Sequence, residues 1–203
     1  MAQTSTTLSG EVSHKADITG TDISISTSGT ISSTSTIIAD DGSDNGKLQA
    51  RDLVTVSGTD NNNKTFTVKA VVSTKEFTVE ETILANDNAD GSTQFTLDNI
   101  GFVTDKAKGD GYYSQPDGVH TVAYHPGATI NDDSTIGLIM QGSLATTPTE
   151  DDWFDITGTE ITSAELDGST LAFHANFTGN FVWVRAKVSG MTAGAVTKIL
   201  YNH

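Results

Sequence analysis

The sequence predicts an all-β protein of two small domains, and three observations carry that prediction. Apolar residues scarcely recur at the period of a helix. Short runs alternating between apolar and polar residues dominate instead, with Thr and Ser crowding many positions. Between the runs lie clusters of Gly, Asn and Asp, which tolerate left-handed backbone or hydrogen-bond their own main chain. Glycine is frequent, at 19, and proline rare, at 3.

Residues 1–17, MAQTSTTLSGEVSHKAD, are polar and turn-rich and read as an arm that orders on a partner. An N-terminal β domain, barrel- or sandwich-like, is expected over residues 18–105. Its strands are placed at Asp22–Ser26, Thr36–Ala39, Leu53–Ser57, Thr65–Val72, Glu76–Glu80 and Thr93–Leu97. The turns between them are DDGSDNG (40–46), GTDNNNK (58–64) and NDNADGS (86–92). Leu53–Val56 and Phe66–Val68 read as a hairpin closed by the Asn-rich segment.

DKAKGDG (105–111) is small, polar and glycine-containing, and reads as a linker. A C-terminal β-sandwich is expected over residues 106–203. Its strands are placed at Val119–His125, Ile136–Leu144, Trp153–Ile156, Thr170–Asn176, Asn180–Ser189 and Ala195–Tyr201. The last of these ends without a polar tail and is expected to complete a sheet.

Charge and composition exclude several functions. With 26 acidic and 11 basic residues the formal charge is −15 and the pI about 4.4. Such a surface repels phosphate backbones, so no nucleic-acid partner is expected. The chain has no cysteine, which removes disulfides, thiolate catalysis and zinc–sulfur sites. The opening segment lacks the apolar core of a secretory signal, and no run is long enough to span a membrane as a helix. The expectation is a protein made in a cytoplasm, with no membrane partner.

Candidate sites are few. Asp41, Ser43, Asn45, Gly46 and Asp52 fall on the first, third, fifth, sixth and twelfth positions of a helix–loop–helix calcium loop. The last position is Asp rather than Glu and the flanks are strand-like, so a plain turn is the better reading and no metal is expected. The five histidines are scattered, and His120 and His125 face opposite sides of one strand. Adjacent acids at Asp132–Asp133 and Asp151–Asp152 read as solvated loops. No catalytic residue and no cofactor is expected. Trp153, which follows an acidic turn, is read as a core residue of the sandwich, the alternative being a stacking platform for a sugar ring at the sandwich end.

One strand stands apart. In FTGNFVWVRAKVSG (177–190), alternation puts Val182, Val184, Ala186 and Val188 on one face. The other face carries Phe181, Trp183, Arg185 and Lys187. Aromatics and Arg are enriched at the centres of protein interfaces, so these four are the candidate interface residues. The reading placed ahead of it is that Phe181 and Trp183 fill the sandwich core while Val182 and Val184 pack on a second layer.

Both halves resemble virion proteins. Val54-Thr55-Val56-Ser57-Gly58, Asn61-Asn62, Thr65-Phe66-Thr67-Val68 and Phe77-Thr78-Val79 resemble a small β domain repeated in tailed-phage structural proteins, over Asp22 to Leu97. The chain departs from it in Lys64, where Gly is common, and in the DNADG turn. TVAYHPGATI, GLIMQGSLATTPTEDDWFDI and NFTGNFVWVRAKVSGMTAGAVTKILYNH resemble virion structural proteins of marine and cyanobacterial tailed phages, over Val119 to His203. The order GSL, W-x-DI, VRAKV is also similar to a discoidin-type sandwich.

The resemblance implies a structural virion protein, foremost a capsid decoration or cement protein on the outer shell. Its partners would be the major capsid protein or other virion proteins, and copies of itself. A neck, collar or fibre component is the alternative, and a carbohydrate-binding receptor module a third.

Overall fold

The computed structural model describes residues 5–13, 18–21, 23–33, 48–87, 94–97, 101–116, 118–127, 137–162, 172–189, 191 and 194–203. The chain is all-β, with antiparallel sheets among the described residues. It divides into two compact units, residues 15–102 and residues 1–14 with 103–203.

The opening segment is therefore not a separate arm. Strand β1 (Ser5–Ser9) pairs with the last strand of the chain, Ser5 opposite Asn202 and Thr7 opposite Leu200. Strand β2 (Val12–Ser13) pairs with Ala195 and Val196 of that strand. The physical reason is twofold. Backbone pairing satisfies an edge that would otherwise lie open, and Leu8, 4% exposed, anchors the segment in the core. Isolated apolar residues such as Leu8 and Val12 in a polar stretch are a weak signal.

In the unit of residues 15–102, β3 (Ile18–Thr21), β4 (Ile23–Ser26), β5 (Thr30–Ser33), β6 (Asp52–Thr55), β7 (Thr65–Ser73), β8 (Glu76–Val79) and β9 (Gln94–Leu97) follow in chain order. β10 (Gly101–Val103) brings Gly101 opposite Leu53. The main sheet runs β10-β6-β7-β8-β5-β4, and β3 pairs with β9. Alternate residues of these strands, among them Ile23, Ile25, Ile31, Val54, Phe66, Val68 and Phe77, form one buried cluster. Burying side chains of this size contributes roughly 1.5–3 kcal/mol each.

The expected hairpin is present, with Val54 opposite Phe66. Its Asn-rich loop is held by Asn63, whose side chain accepts from the Thr59 N–H at 2.8 Å. The strand expected at Thr36–Ala39 and the loop residues Asp41–Gly46 lie outside the described residues. Asp52 is buried at the start of β6, where its carboxylate accepts the Gln49 N–H at 2.6 Å and closes a turn.

The second unit carries two sheets. β11 (Ala107–Lys108), β12 (Val119–Pro126), β13 (Gly137–Ser143), β14 (Phe154–Asp155), β15 (Ile161–Thr162), β16 (Phe173–Thr178), β17 (Trp183–Ser189) and β18 (Ala195–Asn202) supply them, together with β1 and β2. One sheet has the order β1-β18-β12-β16. The other places β13 between β14 and β17, with β11 on the far side of β17 and β15 also against β13.

Val122, Tyr124, Ile199 and Tyr201 of the first sheet and Leu138, Met140, Val184, Ala186 and Val188 of the second are buried, as inner faces of a sandwich are. Tyr124 donates its hydroxyl to the Thr159 carbonyl at 3.3 Å, and Thr159 in turn accepts the Met140 N–H, tying the layers.

Residues 105–111 are not a flexible linker. Ala107 and Lys108 pair with Val184 and Trp183, and a 3-10 turn follows at Asp110–Tyr113. A Cβ on Gly109 would lie 2.5 Å from the Phe181 carbonyl oxygen, and one on Gly111 2.8 Å from that of Asn180. These glycines permit close backbone packing, not mobility.

Candidate functional site

The outer face of the sheet β11-β17-β13-β14 collects the side chains that sequence reasoning singled out, and several it passed over. Residues directly opposite on neighbouring strands share a face. Lys108 is opposite Trp183, which is opposite Ser143. Arg185 is opposite Gln141, which is opposite Asp155. Three strand spacings make this face roughly 14 Å across.

Each large ring on it carries a cation. Lys106 Nζ lies 4.6 Å from the Trp183 ring centroid, Lys108 Nζ 4.1 Å from that of Tyr112, and the Arg185 guanidinium 4.2 Å from that of Trp153. Cation–π contacts are worth about 0.5–1 kcal/mol when exposed and more when desolvated. Tyr112 packs edge-on against Trp183 at 4.9 Å and against Tyr113 at 5.2 Å. Tyr112 and Tyr113 are 42% and 48% exposed, and Leu144 beside them in sequence to Ser143 is 64% exposed.

Arg185 differs from the two lysines. Its Nη1 and Nη2 donate to both oxygens of Glu150, at 2.9 and 2.7 Å, and its Nε donates to Gln141 Oε1 at 2.9 Å. Gln141 passes the chain on, donating to Asp155 at 2.8 Å. Glu150 is placed by a 3-10 turn, Glu150–Asp152, closed by a capping box in which Asp152 accepts from the N–H and hydroxyl of Thr149. Those bonds hold the Asp152 carboxyl below the usual carboxylate range.

Of the four candidate interface residues, the structure brings three together and separates one. Trp183, Arg185 and Lys187 share the outer face. Trp183 is half-buried, its Nε1 donating to the Thr146 carbonyl at 3.0 Å. Arg185 is buried, and Lys187 partly exposed opposite Ile139.

Phe181 is a core residue. Regular strand begins only at Trp183, so alternation does not extend back to Phe181. Its ring lies 6.2 Å from Phe177 and 6.0 Å from Phe154, in a slot that two glycines leave open. A Cβ on Gly142 would come within 2.6 Å of the ring and one on Gly179 within 2.2 Å. Trp153, expected in the core, instead lies half-buried under Arg185. The acidic turn before it, not an apolar face, fixes its place.

A second cluster was invisible to spacing. His120, fully buried, is opposite in character to the partly exposed His125, as the strand parity requires. Its Nδ1 meets the Tyr201 hydroxyl at 2.7 Å, and its Nε2 lies 3.1 Å from the Gly179 carbonyl and 3.4 Å from Asp110. His203 lies 3.7 Å from the other Asp110 oxygen. Burial first, then the Asp110 charge, raises the Tyr201 phenol above its ordinary range. Both ring nitrogens of His120 are engaged within the protein. Among the described residues no group of three His, Asp or Glu is arranged to hold a metal ion.

No family model matches the chain, and no curated protein matches it. Among solved structures, a xylan-binding module, CBM15, is similar with a TM-score of 0.32 and 11% identity, over 93% of this chain and 97% of that one. That score is too low to assign a ligand or a topology.

Proposed function

We propose that this chain is a non-catalytic structural component of a tailed-phage particle, foremost a decoration protein of the outer shell, that works by assembly. The virion-like patterns of both halves motivate the particle. The observation that carries the assembly reading is the outer face of β11-β17-β13-β14, where Trp183, Tyr112 and Tyr113 lie beside Lys106 and Lys108. Exposed aromatics flanked by cations suit the centre of a protein contact.

The same rings favour a second reading, a carbohydrate-binding module, because sugars stack on exposed aromatic faces. The geometry weighs against it. Tyr112 meets Tyr113 at 73° and Trp183 at 62°, so the three rings do not form a flat platform. Lysines also lie over the faces of Trp183 and Tyr112 on which a sugar ring would stack.

The test is to quantify the protein in purified particles by mass spectrometry. A copy number comparable with that of the shell subunit supports decoration. A small fraction of it moves the protein to the neck or fibre, and absence from particles overturns the proposal. Binding on a glycan array would favour the second reading.

A further inference from the structure

The outer face of the second unit is charged unevenly, and in a self-complementary way. This unit has five Lys and Arg residues (Lys106, Lys108, Arg185, Lys187, Lys198) against thirteen Asp and Glu. Four of the five cations lie on this one face. Lys106 and Lys108 line its β11 edge, while Asp155, exposed on β14, lies at the opposite edge and Glu150, largely buried, is held by Arg185. Between the two flanks lie the rings of Trp183 and Trp153.

The face also contains the contact that its β11 edge lacks. Arg185 stacks on Trp153 and is completed by the Glu150 carboxylate. Lys106 stacks on Trp183 and Lys108 on Tyr112 in the same manner, and among the described residues neither meets a carboxylate within ion-pair distance. A partner that presents acids across roughly the width of a four-stranded sheet would complete both.

We infer that the partner is a second copy of this chain, docked face to face about a two-fold axis. A two-fold contact pairs each patch with its own counterpart. Lys106 and Lys108 of one copy then meet the Asp155 edge of the other, and the reverse, with the aromatic rings at the centre. This rests on the reading of the face as an assembly surface and names its partner, but it concerns the isolated protein. Its outcome is therefore separable from whether the protein occurs in particles.

The test is sedimentation equilibrium of the full chain from micromolar to millimolar concentration, at low and high salt. The expected result is a reversible monomer–dimer equilibrium that weakens with salt. Lys106→Glu with Lys108→Glu should weaken association at least roughly tenfold while leaving the circular dichroism spectrum unchanged and lowering the melting temperature only by the few degrees that two cation–π contacts account for. Asp155→Lys should weaken it too, and an equal mixture of the two variants should associate more tightly than either alone. Lys106→Ala with Lys108→Ala gives the same readout without introduced repulsion. A monomer at every concentration, a dimer indifferent to these changes, or a mixture with no rescue would overturn the inference. So would binding of the monomeric chain to polyglutamate through Lys106 and Lys108, since the acidic partner would then be a foreign one.

Discussion

Arg185 holds both carboxylate oxygens of Glu150, at 2.9 and 2.7 Å, with side chains only 8% and 17% exposed. The two partners are unequal when one is removed. Glu150→Ala strands a guanidinium that is nearly out of water, and breaking a buried pair in that sense costs about 3–5 kcal/mol. Arg185→Ala leaves a carboxylate about twice as exposed as the guanidinium, 17% against 8%, and should cost nearer 1–3 kcal/mol. Urea denaturation of both variants checks the order, and equal losses would contradict it.

Phe181 and Trp183 should separate by stability. Phe181→Ala empties the slot between Gly142 and Gly179 and should cost ~3–5 kcal/mol, the range for a buried aromatic. Trp183→Ala removes a half-buried ring and one hydrogen bond, and should cost about 1–2 kcal/mol. The larger effect of Trp183→Ala is expected on incorporation into particles. A melting temperature lowered as far by Trp183→Ala as by Phe181→Ala would place Trp183 in the core.

Gly109→Ala distinguishes packing from linkage. In a linker this change would be neutral, or would stabilise by reducing the freedom of the unfolded chain. Here the added methyl meets the Phe181 carbonyl at 2.5 Å, and a loss of roughly 1–3 kcal/mol is expected, as for other overpacked sites. Thermal unfolding of the single variant is sufficient to decide.

Tyr201 gives the chain a limit at high pH. Its phenol is raised in the fold by burial and by Asp110, so the folded state holds the proton more tightly than the unfolded one. The stability this contributes is fully present below the ordinary phenol value, near 10, and is lost as pH rises toward the folded value. Tyr124 is raised for the same first reason, burial, aided by Glu160. Absorbance titration should show these two phenols ionising together with loss of the fold. Their smooth ionisation in a protein still folded would contradict their burial.

The strands that alternate cleanly were legible in the sequence. Val119–His125, Thr65–Val72 and Ala195–Tyr201 each match an observed strand to within about two residues, because one buried face imposes a period on the side chains. The short strands were not. β1 and β11 owe their existence to neighbours distant in sequence, and Thr6, Thr7 and Lys108 look like any polar loop. The same reason hid the site. Trp183 and Arg185 announced themselves by their alternation with valines, whereas Lys106, Lys108 and Tyr112 sit in a segment whose glycines suggested a linker. Only pairing with β17 gives those glycines and lysines their meaning. His120, Asp110 and His203 meet through chain reversals that no spacing encodes.

The central claim is that the face around Trp183 is a contact surface in the assembled state. Hydroxyl-radical footprinting of the free monomer and of protein in purified particles tests it most directly, with Tyr112, Tyr113, Trp183 and Leu144 as reporters. These residues are expected to be oxidised in the free monomer and protected in the particle, while Val72, 58% exposed in the other unit, remains a reference. Equal oxidation of Tyr112, Tyr113 and Trp183 in both states would contradict it.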